Sequence, residues 1–201
     1  MKSILFSLLG TATLVVAVPA VAGTTADVDC VRQSYGSEGT ELIATLVRDP
    51  SFSGIGAKSG PVGEALGQLI QNSVRACGEE HGWSPEQLLF AVVYEVGRLT
   101  EEALRVTGGL TAPDINKLDV AITAHDNAEI WQMLERVMMA TLGGDDEADS
   151  TPGEDTALRD FVQSAGLNTN DATVLSVGTL MGAIAMQRVG LREFESLRGG
   201  N

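Results

Sequence analysis

The residue best placed for acid–base chemistry is Glu95, which directly follows seven apolar positions. A carboxyl group at the edge of an apolar core can acquire a raised pKa, which suits a general acid or base. Arg98 and Glu102 follow Glu95 by three and seven residues. Because this spacing places their side chains close together on a helix, it favours ion pairs within the helix. Glu95 and Arg98 are therefore candidate ligand-binding residues, and a structural ion-pair network is the favoured interpretation.

The two histidines are the other candidates for ligand binding. His81 follows Glu79 and Glu80 in a predicted turn, and His125 lies where another helix is predicted to end. Zinc sites need clustered His or Cys ligands, but the chain has no HExxH, HxH or closely spaced Cys/His motif. We expect His81 to be an exposed turn residue, and we predict neither a metal site nor a cofactor.

An acidic stretch, GGDDEADSTPGED at residues 143–155, contains six carboxylates and no basic side chain. Carboxylates along a loop are typical calcium ligands, which makes Asp145, Asp146 and Asp149 candidates for calcium binding. The register of an EF-hand loop is absent. The composition therefore favours a solvent-exposed, flexible loop.

Motifs for nucleophilic or phosphate chemistry are also absent from the sequence. It contains no G-x-S-x-G elbow, no GxGxxG motif and no Walker-type loop. Lys58 and Ser59, within GIGAKSG, lack the spacing and the preceding strand of a phosphate loop. The sequence therefore favours a non-enzymatic protein.

The first 22 residues have the pattern of a secretory signal peptide. Lys2 precedes an uncharged apolar run that ends before Pro19, and Ala20-Val21-Ala22 forms an A-x-A cleavage site. A retained membrane anchor is the alternative, but the run is shorter than the roughly 20 residues that a span needs. We therefore predict an exported protein, periplasmic or secreted.

The cysteine content agrees with export. Cys30 and Cys77 are the two cysteines of the chain, and an even number in an exported protein predicts one disulfide. A redox-active pair is the alternative. It is disfavoured because there is no C-x-x-C spacing and no neighbouring base in the sequence.

The net charge restricts the class of partner. The chain carries 27 acidic and 13 basic residues, for a formal charge of −14. Phosphate backbones would be repelled, so nucleic-acid binding is not expected. A cationic partner or a divalent metal would be attracted.

The clearest helix covers residues 84–107. Ser84 is a favourable N-cap, Pro85 suits the first helical position, and Gln87 completes a capping box. The following residues, 88–94, are apolar on all sides, which predicts a central position in the core.

A second helix, predicted over residues 169–188, contains sixteen uncharged residues between Asp171 and Arg188. Gly178 and Gly182 have GxxxG spacing, which allows another helix to approach closely. Sixteen helical residues rise about 24 Å, less than the roughly 30 Å of a hydrocarbon core. A buried helix is therefore favoured over membrane contact through residues 172–187.

The remaining periodicity is also helical, and no segment shows the alternation of a hairpin strand. We predict an all-α bundle of seven or eight helices in one domain, residues 23–201, with 84–107 and 169–188 as the inner pair and one disulfide. Residues 191–198 are interpreted as a short amphipathic tail after the second helix.

Three hypotheses about function follow. The favoured one is a protein-interaction or structural module of the cell envelope that binds a partner or assembles with itself. The second is a membrane-associated protein that uses helix 172–187. The third is a small-ligand carrier or enzyme with a pocket near Glu95, His81 or His125.

Overall fold

The protein is helical throughout the part that the structure describes. The computed structural model describes residues 27–49, 60–124, 127–143 and 152–198. These ranges contain no strand and eight helices: α1 (Asp29–Gln33), α2 (Gly36–Leu46), α3 (Gly60–His81), α4 (Pro85–Thr107), α5 (Ala112–Thr123), α6 (Ala128–Leu142), α7 (Pro152–Ser164) and α8 (Asp171–Ser196). The predicted all-α fold is confirmed.

Local capping explains where the inner helices begin. At α4, the Ser84 hydroxyl accepts a hydrogen bond from the Gln87 amide, and the Gln87 side chain accepts one from the Ser84 amide. The Asn170 side chain caps α8 by accepting a hydrogen bond from the Thr173 amide. Each cap satisfies amides that have no partner inside the helix.

The centre of the molecule is the antiparallel pair of α4 and α8, which is the most extensive helix contact. Gly190 of α8 lies against the Tyr94 backbone, and Gly97 of α4 lies against the Ala183 carbonyl and the Gln187 amide. A Cβ at either glycine would come within 3 Å of backbone atoms of the other helix. The two glycines therefore allow these helices to pack backbone against backbone.

The small-residue contact differs from the predicted one at Gly178 and Gly182. A Cβ at Gly178 would face the Leu158 side chain of α7, at 2.9 Å from Cδ2, and one at Gly182 would meet nothing within 4 Å. The difference arises because each residue is rotated by about 100° around the helix axis from the one before it. Ala183 and Gly190 are seven residues apart and share the face toward α4, whereas Gly182 is rotated by about 100° from Ala183.

The predicted end of the second helix near residue 188 is wrong, because α8 continues through Gly190 to Ser196. Contact with α4 holds the backbone at Gly190. Beyond it, Phe194 is buried and packs edge-on against Trp83, with ring centroids 4.9 Å apart. These contacts outweigh the weak helix propensity of glycine.

Two apolar clusters lie along the inner pair. One includes buried side chains of α1 to α4 together with Phe194, and the other includes buried side chains of α5 to α8.

Residues 88–94 are less central than predicted. Ala91 and Val93 are buried, but Leu89 is 53% exposed.

Candidate functional site

A polar cluster is buried where Tyr35, just before α2, meets α4. The Glu95 side chain is 1% exposed. Its Oε1 accepts hydrogen bonds from the Tyr35 hydroxyl at 2.5 Å and from Arg98 Nη2 at 2.6 Å, and its Oε2 accepts one from Arg98 Nε at 2.8 Å. Arg98 Nη1 also lies 3.3 Å from the Glu102 carboxylate. Both oxygens of Glu95 are therefore engaged.

The environment keeps Tyr35 and Arg98 in single protonation states. Burial raises the pKa of the Tyr35 phenol far above its usual value, and the charge and hydrogen bond of Glu95 raise it further. Burial lowers the pKa of Arg98, but the hydrogen bond and charge of Glu95 outweigh that effect and raise it overall. The phenol stays neutral and the guanidinium stays charged, as suits a fixed structural network.

The cavity beside this cluster is small. It has a volume of about 180 Å³ and is lined by Tyr35, Arg98, Glu102 and residues of α1 and α2. Ligand pockets usually occupy roughly 300–1,000 Å³. The structure thus brings the predicted candidates Glu95 and Arg98 together, but next to a cavity below that range.

His81 lies elsewhere, at the exposed C-terminal end of α3. Its ring stacks on Trp83 with centroids 6.0 Å apart. A ligand nitrogen of His81, a carboxylate oxygen of Glu80 and the Cys30 sulfur all lie within 4.8 Å of one another. This base next to a cysteine was missed in the sequence because His81 and Cys30 lie far apart along the chain.

The predicted disulfide is confirmed. Cys30 and Cys77 are bonded, with Cα atoms 6.0 Å apart, so α1 is linked to α3. Cys77 is buried in the core, whereas Cys30 is half-buried at the surface.

Several predicted features lie outside the described residues. They are the signal segment 1–22, the phosphate-loop resemblance at Lys58 and Ser59, the ligand candidate His125, and the calcium candidates Asp145, Asp146 and Asp149.

A larger apolar groove runs between α6, α7 and α8. Its volume is about 470 Å³, within the usual range for binding pockets. The apolar side chains that line it are Met133, Leu134, Val137, Leu158, Val174 and Leu175. The sequence did not reveal this groove, because it forms only when three helices separated along the chain come together.

The groove has one strongly exposed apolar residue and four charged ones. Leu175 is 71% exposed. Three carboxylates, Glu154, Asp155 and Asp171, and one guanidinium, Arg159, also line it. Arg159 donates a hydrogen bond of 2.6 Å to Asp171, and Arg136 pairs with Glu154, so two of the three carboxylates are held in ion pairs.

Among the described residues, α8 is the one helix long and apolar enough to cross a membrane by length and composition. Its side chains nevertheless pack inside the bundle at Val177, Leu180, Met181 and Val189. Core helices of soluble proteins are often as long and apolar as this one.

Comparison with protein-family models, curated proteins and solved structures finds no match to this chain.

Proposed function

We propose that this is an exported, non-enzymatic binding protein whose groove between α6, α7 and α8 holds an amphipathic helix of a partner protein. The observation that carries the proposal is the apolar groove of about 470 Å³ with Leu175 71% exposed beside it. Apolar surfaces that stay exposed on a folded protein commonly mark interaction sites.

The shape and composition of the groove favour a helix as the bound segment of the partner. Three helices form the walls, and amphipathic helices commonly bind in apolar grooves between helices. Met133 contributes a flexible, polarisable side chain that can adapt to different apolar contacts.

Charge favours a basic partner. Two of the three carboxylates that line the groove are ion-paired, with Arg136 and Arg159, but the whole chain has a formal charge of −14. Lysine or arginine residues flanking the apolar face of the partner helix would complement this field and speed its association.

The two other hypotheses have less support. Insertion of residues 172–187 into a membrane would require α8 to leave its packing against α4. A carrier or enzyme site at Glu95 would have to use a carboxylate whose two oxygens already accept hydrogen bonds, beside a cavity of about 180 Å³.

A fluorescent amphipathic peptide built from leucine and lysine tests the proposal by anisotropy. We expect it to bind the wild-type protein. Leu175→Glu should weaken binding by about 10- to 100-fold, because burial of one leucine side chain contributes about that much to affinity. Leu89→Glu is the matched control, because Leu89 is also exposed but lies on α4. It should bind the peptide like the wild type.

Other outcomes would contradict the proposal. Equally tight binding of a leucine–glutamate peptide of the same length would show that the partner need not be basic. Equal binding of the leucine–lysine peptide by the Leu175→Glu and Leu89→Glu proteins would show that the groove is not the binding site. Flotation with phosphatidylcholine vesicles that is lost in Leu175→Glu would assign the surface to lipid, and a dimer seen in sedimentation velocity and lost in that variant would assign it to a second copy.

A further inference from the structure

The end of α3 brings three potential metal ligands together over α1. They are the Cys30 sulfur, a Glu80 carboxylate oxygen and a His81 ring nitrogen, all within 4.8 Å of one another. Glu80 and His81 are exposed and Cys30 is half-buried, so an ion from solvent can reach all three. In the described form Cys30 is bonded to Cys77, which prevents its sulfur from acting as a thiolate ligand.

The donor set fits one class of metal. A thiolate, an imidazole and a carboxylate are the side chains that bind zinc, and three protein ligands with a water as the fourth is a familiar arrangement. Ligand atoms on one zinc ion lie roughly 3–4 Å apart, so atoms that are already within 4.8 Å of one another need at most a small inward movement. Because Glu80 and His81 are exposed, their side chains have room to do so.

Contacts other than the disulfide hold Cys30 near Glu80 and His81. Val28 and Val31, on either side of Cys30, are buried in the core. Arg198 pairs with Asp27. The Tyr35 hydroxyl is hydrogen-bonded to buried Glu95. Because none of these contacts involves a sulfur atom, α1 should keep its place when the disulfide is reduced.

We propose that reduction of the Cys30–Cys77 disulfide creates a zinc site formed by Cys30, Glu80 and His81. An external dithiol supplies two electrons and two protons to the disulfide and is itself oxidised to a disulfide, which leaves two cysteine thiols. Zinc then binds the Cys30 sulfur as a thiolate and releases its proton. The buried Cys77 thiol stays in the core.

Zinc titration of the full exported chain by calorimetry tests this inference. A phosphine reductant opens the disulfide without adding a competing thiol. We expect one zinc ion per reduced chain and none at this site in the oxidised protein. With cobalt as the probe, the reduced protein should show a thiolate-to-cobalt charge-transfer band.

Variants separate this site from adventitious binding. His81→Ala and Glu80→Gln should each weaken zinc binding by the reduced protein at least about tenfold. Glu79→Gln, a neighbouring exposed carboxylate outside the cluster, is the matched control and should bind like the wild type. Cys77→Ser provides a free Cys30 without reductant and should bind zinc in the same way.

Three results would overturn the inference. They are equal zinc binding by oxidised and reduced protein, unchanged binding in His81→Ala and Glu80→Gln, or a charge-transfer band that persists in Cys30→Ser. If Cys77→Ser fails to fold, judged by circular dichroism, the reduced wild-type protein with the His81 and Glu80 variants still decides the question.

Discussion

The hydroxyl of Tyr35 donates a hydrogen bond of 2.5 Å to Oε1 of Glu95, a residue 60 positions further along the chain. Arg98 holds the same carboxylate from one helical turn away. This contact fastens the segment between α1 and α2 to α4 of the central pair, and the Cys30–Cys77 disulfide links α1 to α3. The buried charge therefore has a structural role.

Glu95→Ala should destabilise the protein strongly. It leaves the Arg98 guanidinium, whose side chain is 17% exposed, without its bidentate partner. Removing one partner of a buried ion pair costs about 3–5 kcal/mol. The free energy of unfolding in urea measures the loss. Glu102→Ala, which removes an exposed partner 3.3 Å from Arg98, is the control and should cost less than about 1 kcal/mol. Equal losses in the two variants would contradict the structural role.

Tyr35→Phe isolates the phenol from the ion pair. It removes a hydrogen bond to a buried carboxylate, which is worth about 1.5–3 kcal/mol. In a Glu95→Gln background the same change should cost less, because the acceptor is then neutral. A double-mutant cycle by urea unfolding measures this coupling. Additive effects would mean that Tyr35 and Glu95 act independently.

Two glycines of α8 should respond to alanine in opposite directions. At Gly190 a Cβ would lie 2.6 Å from the Tyr94 amide nitrogen and 2.8 Å from its Cα, so α4 and α8 would have to separate. Gly190→Ala should cost about 1–3 kcal/mol. Gly182 has nothing within 4 Å, so Gly182→Ala should stabilise the helix by up to about 1 kcal/mol. Thermal unfolding of both variants checks the prediction, and a shift of the same sign in both would contradict it.

The helices could be predicted from sequence because their signals are local. The capping box of Ser84 and Gln87 and the apolar periodicity identify α4 within a few residues. Contacts between helices that lie far apart along the chain could not be predicted from the sequence. The Tyr35 partner of Glu95 and the groove beside Leu175 depend on how distant helices pack.

The glycines show the same limit. GxxxG spacing selects pairs within one helix, whereas the close approach uses Gly97 of α4 and Gly190 of α8. Which face of α8 meets α4 follows from packing along the whole helix. The motif identified a helix rich in small residues, and its Gly178 lies against Leu158 of α7, but the backbone-to-backbone contact with α4 uses Gly190 instead.

Removing the disulfide should lower stability without unfolding the protein. Cys30 and Cys77 are separated by 47 positions, and a cross-link of that length stabilises by about 4 kcal/mol in the chain-entropy model. The double variant Cys30→Ser with Cys77→Ser should lose up to that amount in urea unfolding and keep its helical circular dichroism. The core around Val31 and the Tyr35–Glu95 contact account for the remaining order. Loss of all helical signal at neutral pH would show that those contacts are insufficient.

Glu135 should make the protein sensitive to acid. Its carboxylate accepts a hydrogen bond of 2.7 Å from Arg188 and is paired with Arg192, so it links α6 to α8. Burial raises the pKa of Glu135, but the two arginines outweigh that effect and lower it below its usual 4.5.

Because the folded-state pKa of Glu135 is lowered, its stabilising contribution is complete above about pH 4.5 and is lost as the pH falls through the folded pKa. Glu135→Gln should therefore lower the free energy of unfolding at pH 7, and its difference from the wild type should shrink below pH 4.5. Urea unfolding at a series of pH values measures this difference. Glu129→Gln, at an exposed position on the same helix, is the control, and its curve should run parallel to that of the wild type. A Glu135→Gln difference that stays constant down to pH 3 would show that the ion pairs with Arg188 and Arg192 do not contribute to stability.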